Sequence, residues 1–170
     1  MRTLVCLFMT AVLMTFAQLV SAESWENNLI IDLPKGNDVT TSDWNELECL
    51  AVNIYHEARG ESILGQELVA QVTVNRVNSP HYEDHVCGVV RQYKQFSWTH
   101  DGRSDAIKDR KAYEKAYRIA IRFLYIGKTA NIAGAEDFTN YHTVEIDPDW
   151  HTLEAAVDVG RHRFYRRASA

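Results

Sequence analysis

The sequence predicts an α+β fold, mainly helical, with a small β element towards the C-terminus. Three observations carry this. Leu47, Leu50, Ala51, Ile54 and Ala58 recur at the i, i+3, i+4, i+7 spacing of a helix with one face in a core. Ala112, Tyr113, Ala116, Tyr117, Ala120, Phe123 and Leu124 form a second such stripe. Residues 139–146 alternate in polarity, and His162-Arg163-Phe164-Tyr165 reads as a closing strand.

Residues 1–22 read as a targeting segment. Arg2 supplies a positive start, residues 4–20 are almost wholly apolar, and Val20-Ser21-Ala22 places small residues at a cleavage site after Ala22. An uncleaved anchor is the alternative, although the run is short for a membrane span. Cleavage leaves 17 Lys plus Arg against 23 Asp plus Glu, a formal charge of −6. No basic stripe for nucleic acid is present. Residues 23–42, polar with Pro34 and Gly36, read as a linker. Residues 43–170 are then one domain, long enough for a core of its own.

In the first helix Asp43 and Glu46 suggest a capping box, and Gly60 fits a left-handed C′ stop. Glu57 falls in the last turn. Burial and the negative end of the helix dipole both push a carboxyl there towards its protonated form. A group so poised suits general acid catalysis. The bland alternative is a surface helix carboxylate paired with Arg59 or a nearby Lys.

Residues 65–78 fit two patterns. Ala70, Val72 and Val74 alternate like a strand, whereas Leu68, Val69 and Val72 suit a helix. Ser79-Pro80 ends the segment either way. Residues 80–102 form a long connection. Asp109 is a candidate cap for the helix of residues 109–126, with Glu114 and Arg118 at i, i+4 spacing and Gly127 as its stop. In the strand of residues 139–146, Tyr141 and His142 lie on opposite faces, and the turn Asp147-Pro148-Asp149 follows.

Removal of residues 1–22 leaves two cysteines, Cys49 and Cys87, which in an exported protein most simply form a disulfide. His81-Tyr82-Glu83-Asp84-His85 superficially resembles a zinc motif, but its Glu is not adjacent to the first His and Pro80 precludes the long helix that motif needs. No metal and no cofactor are expected. Neither a phosphate loop nor a serine nucleophile elbow is present.

The segment Cys49-Leu50-Ala51-Val52-Asn53-Ile54-Tyr55-His56-Glu57-Ala58-Arg59-Gly60-Glu61 resembles the signature of the SleB-type cell-wall hydrolases. Further blocks resemble the same family in the same order: Gly65-Gln66 through Val74-Asn75-Arg76-Val77, Val86-Cys87-Gly88-Val89-Val90, Gln95-Phe96-Ser97-Trp98, Tyr141-His142 with Pro148-Asp149-Trp150, and Gly160-Arg161-His162-Arg163-Phe164-Tyr165. The likeness covers residues 46–166. It implies a lysozyme-like fold and a helix over residues 65–78. It also implies cleavage of peptidoglycan strands between N-acetylmuramic acid and N-acetylglucosamine.

In that reading Glu57 is the catalytic acid, and Arg59 and Glu61 shape the site. Gln95, Phe96, Ser97 and Trp98 suit a sugar platform, on which rings stack and polar groups fix hydroxyls. Phe96 reads equally well as core. Tyr141 and His142 complete the candidate substrate-binding set. A lytic transglycosylase needs one carboxylate and closes a 1,6-anhydro ring on the muramic unit. A hydrolytic muramidase needs two. An amidase and a non-catalytic peptidoglycan-binding module are the further alternatives. The expected protein is an exported monomer with no stable membrane insertion once its leader is removed.

Overall fold

A computed structural model describes residues 45–168, all within one compact unit. The targeting segment, the linker and Asp43 lie outside the described residues. Helix α1 spans Glu46–Ala58 and α2 spans Ile63–Val77. A short α3 covers Val86–Arg91, followed by a 3₁₀ turn at Ser97–His100, and α4 covers Arg110–Tyr125. Strands β1 (Phe138–Thr143), β2 (Leu153–Val159) and β3 (His162–Arg167) form an antiparallel sheet in the order β1-β3-β2.

Helix α1 is the centre of the core. Every residue from Cys49 to Tyr55 is buried, so the helix is enclosed on almost all sides by α2, α3 and α4. Its cap differs from the expected one. Asn45 accepts from the Glu48 N–H at 3.0 Å, and Glu48 accepts in return from the Asn45 N–H at 3.0 Å. Glu46 is thereby freed for another task. Its carboxylate accepts from the backbone N–H groups of Val86 and Cys87, capping α3, where His85 provides no side-chain cap. Two turns of chain are thus locked together beside the Cys49–Cys87 disulfide, whose Cα atoms are 5.2 Å apart.

The double pattern of residues 65–78 has a physical origin. Helix α2 buries Gln66, Glu67, Gln71, Thr73 and Arg76 as well as Leu68, Val69 and Val72, which blurs its apolar stripe. Each of these polar residues is engaged within the domain. Gln66 donates to the Glu61 carbonyl, Gln71 accepts from the Ala130 N–H, and Thr73 donates to the Val69 carbonyl. Glu67 pairs with Arg122 and with Lys128, tying α2 to the end of α4.

Asp109 caps α4 by accepting from the Ala112 N–H, 3.0 Å, as its sequence position suggested. Glu114 pairs backwards with Arg110, 3.4 Å. Gly127 takes the left-handed conformation beyond the helix, φ 67°. Gly60 does not. The C-cap Arg59 stays right-handed, and the Glu61 N–H turns back to the Ala58 carbonyl. The demand on Gly60 is instead spatial: a Cβ there would lie 3.3 Å from the Arg161 guanidinium.

Strand β1 ends at Thr143, three residues before the expected limit. Strand β2 was not legible in the sequence, because it lies on the sheet edge, buries no residue fully and carries a bulge after Ala155. A second bulge after Phe138 places Thr139 out of register in β1. Helix α2 holds that irregular start. Arg76 Nε donates to the Thr139 carbonyl at 2.7 Å, and Asn75 Nδ2 donates to the carbonyls of Ala135 and Phe138. These bonds dock the sheet on the helices and set the position of Tyr141.

Candidate active site

The last turn of α1 presents Glu57 between two walls. On one side the Tyr141 hydroxyl, from β1, donates to Glu57 Oε2 at 2.9 Å. On the other side Glu57 lines a cavity of about 480 Å³ with His56, Arg59, Ser97, Trp98, Asp105 and neighbouring residues. Burial holds the Glu57 carboxyl above its ordinary range, against the opposing pull of the Tyr141 bond and the charge of Arg76. Burial also raises the Tyr141 phenol well above its ordinary value, and the adjacent Glu57 charge adds to the shift, so the hydroxyl remains a proton donor.

Arg76 is a site residue that sequence reading passed over. It is buried, with its guanidinium 5.0 Å from the Phe96 ring centre and 5.2 Å from that of Tyr82. Its Nη1 is buried with no hydrogen-bond partner among the described residues. Burial lowers its pKa, and the nearby Tyr141, Tyr82 and Glu57 act in the opposite direction. The available signal was that Arg76 is the one basic residue of the helix.

The aromatic wall is built from the helix outwards. Trp98 stacks on His56, with ring centres 4.6 Å apart and planes 19° apart. Its indole N–H donates to Asn53 Oδ1 at 3.0 Å, while Asn53 Nδ2 donates to Thr73 Oγ1 at 3.1 Å. Asn53 is fully buried, so this chain satisfies polar groups inside the core and holds the Trp98 ring at the cleft. Burial lowers the His56 pKa, the largest effect on it.

The other candidate residues separate. Ser97 and Arg59 line the cavity, the latter stacked over the Tyr55 ring at 5.0 Å. Phe96 is buried beneath Arg76 and belongs to the core. Gln95 lies in the preceding turn, outside the cavity lining. His142 faces away from Tyr141, with its ring 6.0 Å from Trp150.

Glu61 is committed elsewhere. Its Oε1 accepts from Arg161 Nε at 2.8 Å and its Oε2 from the Arg161 N–H at 3.2 Å. Burial tends to raise the Glu61 carboxyl, but the bonds and charge of Arg161 outweigh it and hold the group below its ordinary value. Gly160, φ 58°, makes room: a Cβ there would lie 1.9 Å from Glu61 Oε2. Thus Glu61 fastens the helices to the β2–β3 turn, and Glu57 alone of the two reaches the cleft.

A carboxyl held above its ordinary range, set at a helix end between a phenol and an aromatic-walled cleft, marks the candidate site. The chain belongs to the Cell Wall Hydrolase family, whose model matches residues 60–165. That match takes in Glu61, Arg76, Trp98 and Tyr141 and begins just beyond Glu57. The chain is 42% identical over 59 residues to the spore cortex-lytic enzyme of Halalkalibacterium halodurans, across 35% of this chain and 18% of that protein. It is 41% identical over 59 residues to the enzyme of the same name from Bacillus subtilis, across 35% of this chain and 19% of that protein. These alignments span about a fifth of the relatives' length.

Two solved structures share the fold. The catalytic domain of the germination-specific lytic transglycosylase SleB from Bacillus anthracis aligns with a TM-score of 0.56 and 27% identity. That of the Bacillus cereus SleB protein gives 0.55 and 24%. Each alignment covers 76% of this chain and 98% of the other. The mainly helical fold with a small C-terminal sheet is therefore that of SleB catalytic domains.

Proposed function

We propose that the protein cleaves the glycan strands of peptidoglycan as a lytic transglycosylase, with Glu57 as the single acid and base. The observation that carries this reading is the Glu57 carboxyl: buried enough to favour its proton, fixed by Tyr141, and open to a cleft beside Trp98. Membership of the cell wall hydrolase family supports the substrate class, and the likeness to a lytic transglycosylase catalytic domain supports the route.

In the first step Glu57 gives its proton to the oxygen between N-acetylmuramic acid and N-acetylglucosamine. The bond from the muramic C1 to that oxygen breaks, and its electron pair leaves with the oxygen. In the second step the muramic C6 hydroxyl oxygen attacks C1, and its proton passes to the Glu57 carboxylate. A 1,6-anhydro ring closes, the enzyme regains its starting state, and no water is consumed. Tyr141 holds the carboxylate through both steps. The attachment of Glu61 to Arg161 supports a route that does not call on it as a second carboxylate.

Mass spectrometry of soluble fragments from purified sacculi tests the proposal. Anhydromuramic ends are expected. Reducing muramic ends would replace the route with hydrolysis, and free stem peptides would replace it with amide cleavage. The apolar run ending Val20-Ser21-Ala22 supports delivery to the wall by export, with secreted protein beginning at Glu23.

A further inference from the structure

Three aspartates line the Glu57 cavity: Asp101, Asp105 and Asp109. Two of them have local tasks. Asp109 accepts from the Ala112 N–H and caps α4. Asp101 is exposed, and its carboxylate accepts from the Arg103 N–H at 2.8 Å within its own turn. Asp105 is different. It is half-buried, and no donor reaches its carboxylate among the described residues. A partly desolvated carboxylate without a donor is unfavourable in a resting fold.

The chain around Asp105 is nevertheless held firmly. The Tyr55 hydroxyl accepts from the backbone N–H groups of Lys108 and Asp109, at 3.2 and 3.0 Å. The His56 Nε2–H donates to the Asp105 carbonyl, 3.3 Å. Both anchors come from the two residues that precede Glu57 in α1. The helix that presents the acid therefore also holds the backbone that carries this carboxylate into the same cavity. Burial raises the Asp105 carboxyl and the neighbouring Asp101 charge adds to this, opposed by His56.

We propose that Asp105 is a second catalytic carboxylate of the cleft, a fixed negative charge that stabilises the positive charge developing on the sugar as its glycosidic bond breaks. This rests on the glycan-cleavage reading above. As the C1–oxygen bond lengthens, the ring oxygen and C1 share a positive charge, as in an oxocarbenium ion. Asp105 neither gives nor takes a proton and forms no bond. Its interaction exists only once that charge appears, so it lowers the barrier without tightening ground-state binding.

The test uses the full chain with Asp105→Asn, Asp84→Asn and Glu57→Gln, assayed on purified sacculi. Asp105→Asn should lower kcat by about 10²-fold or more while KM moves by less than about three-fold. The remaining product should still carry anhydromuramic ends. Its thermal midpoint should equal or exceed that of the parent, because no native hydrogen bond is removed. Asp84→Asn, at an exposed carboxylate outside the cavity, should stay within about three-fold of the parent. Should Asp105→Asn fold poorly, Asp105→Ser provides the same readings.

An Asp105→Asn enzyme with parental kcat overturns the inference. So does a loss confined to KM, which would mark a binding contact, or selective loss of a water-derived product, which would mark a general base. If Glu57→Gln is inactive while Asp105→Asn is not impaired, only this inference fails. An active Glu57→Gln enzyme removes the glycan-cleavage reading itself.

Discussion

The Tyr141 hydroxyl donates to Glu57 Oε2 at 2.9 Å, joining a strand and a helix 84 residues apart in sequence. This bond favours the ionised carboxyl, while burial favours the protonated one. Tyr141→Phe removes the bond and leaves the burial. The Glu57 pKa should rise, and the alkaline limb of kcat/KM, where the acid loses its proton, should move to higher pH. The turnover number should fall as well, because the carboxyl is less well held. A pH–rate profile checks both effects. A limb that stays in place or moves to lower pH would remove Tyr141 from this role.

Glu57→Gln should lower activity by roughly 10³-fold or more, since amide cannot donate the proton. Its stability should move the other way. A carboxyl whose folded pKa is raised contributes most below its unfolded value, about 4.3, and loses that contribution as pH rises through the folded value. The parent protein therefore carries a destabilising charge at pH 8 that the variant lacks. The thermal midpoint of Glu57→Gln should exceed that of the parent at pH 8, and the difference should close at pH 4.

Glu61 has the opposite sign. Its folded pKa is depressed by Arg161, so its contribution is present above the unfolded value and lost as pH falls through the folded one. Glu61→Gln should reduce the thermal midpoint at pH 7 and have little effect near pH 3. Gly160→Ala should be destabilising by roughly 2 kcal/mol or more, because its Cβ meets Glu61 and its φ is positive. Denaturant melts of the two variants, run across pH, separate the charge effect from the steric one.

Cys49 and Cys87 bridge α1 to α3, a sequence separation of 38. A loop of this size gives roughly 4 kcal/mol in the chain-entropy model. Cys49→Ser with Cys87→Ser should lower the midpoint of chemical denaturation clearly while leaving the position of Glu57 intact. Peptide mapping without reductant should recover the cross-linked pair from the parent. Two free thiols in exported protein would contradict the bridge.

Residues 46–58 and 110–125 could be read as helices because each carries an uninterrupted apolar repeat, and local spacing is all such a reading requires. The position of Glu57 at a helix end follows from equally local facts, whereas the pairing of two cysteines follows from their count once residues 1–22 are set aside. The cap could not be assigned so simply, since Asp43, Asn45, Glu46 and Glu48 offer competing partners. Glu46 is drawn to α3 only when that helix lies beside it. The direction of Glu61 likewise depends on Arg161, 100 residues away, and on the absence of a Cβ at Gly160.

The sequence by itself determined a helical core, a small terminal sheet and a carboxyl at the end of the central helix. Tertiary structure decided that Tyr141 rather than His142 meets that carboxyl, because Asn75 and Arg76 hold the bulged start of β1. It decided too that Phe96 enters the core while Trp98 stacks at the cleft, through the Asn53 bond to the indole. Periodicity records which residues share a face within one element. Which faces meet depends on hydrogen bonds between elements, and those partners are distant in the chain.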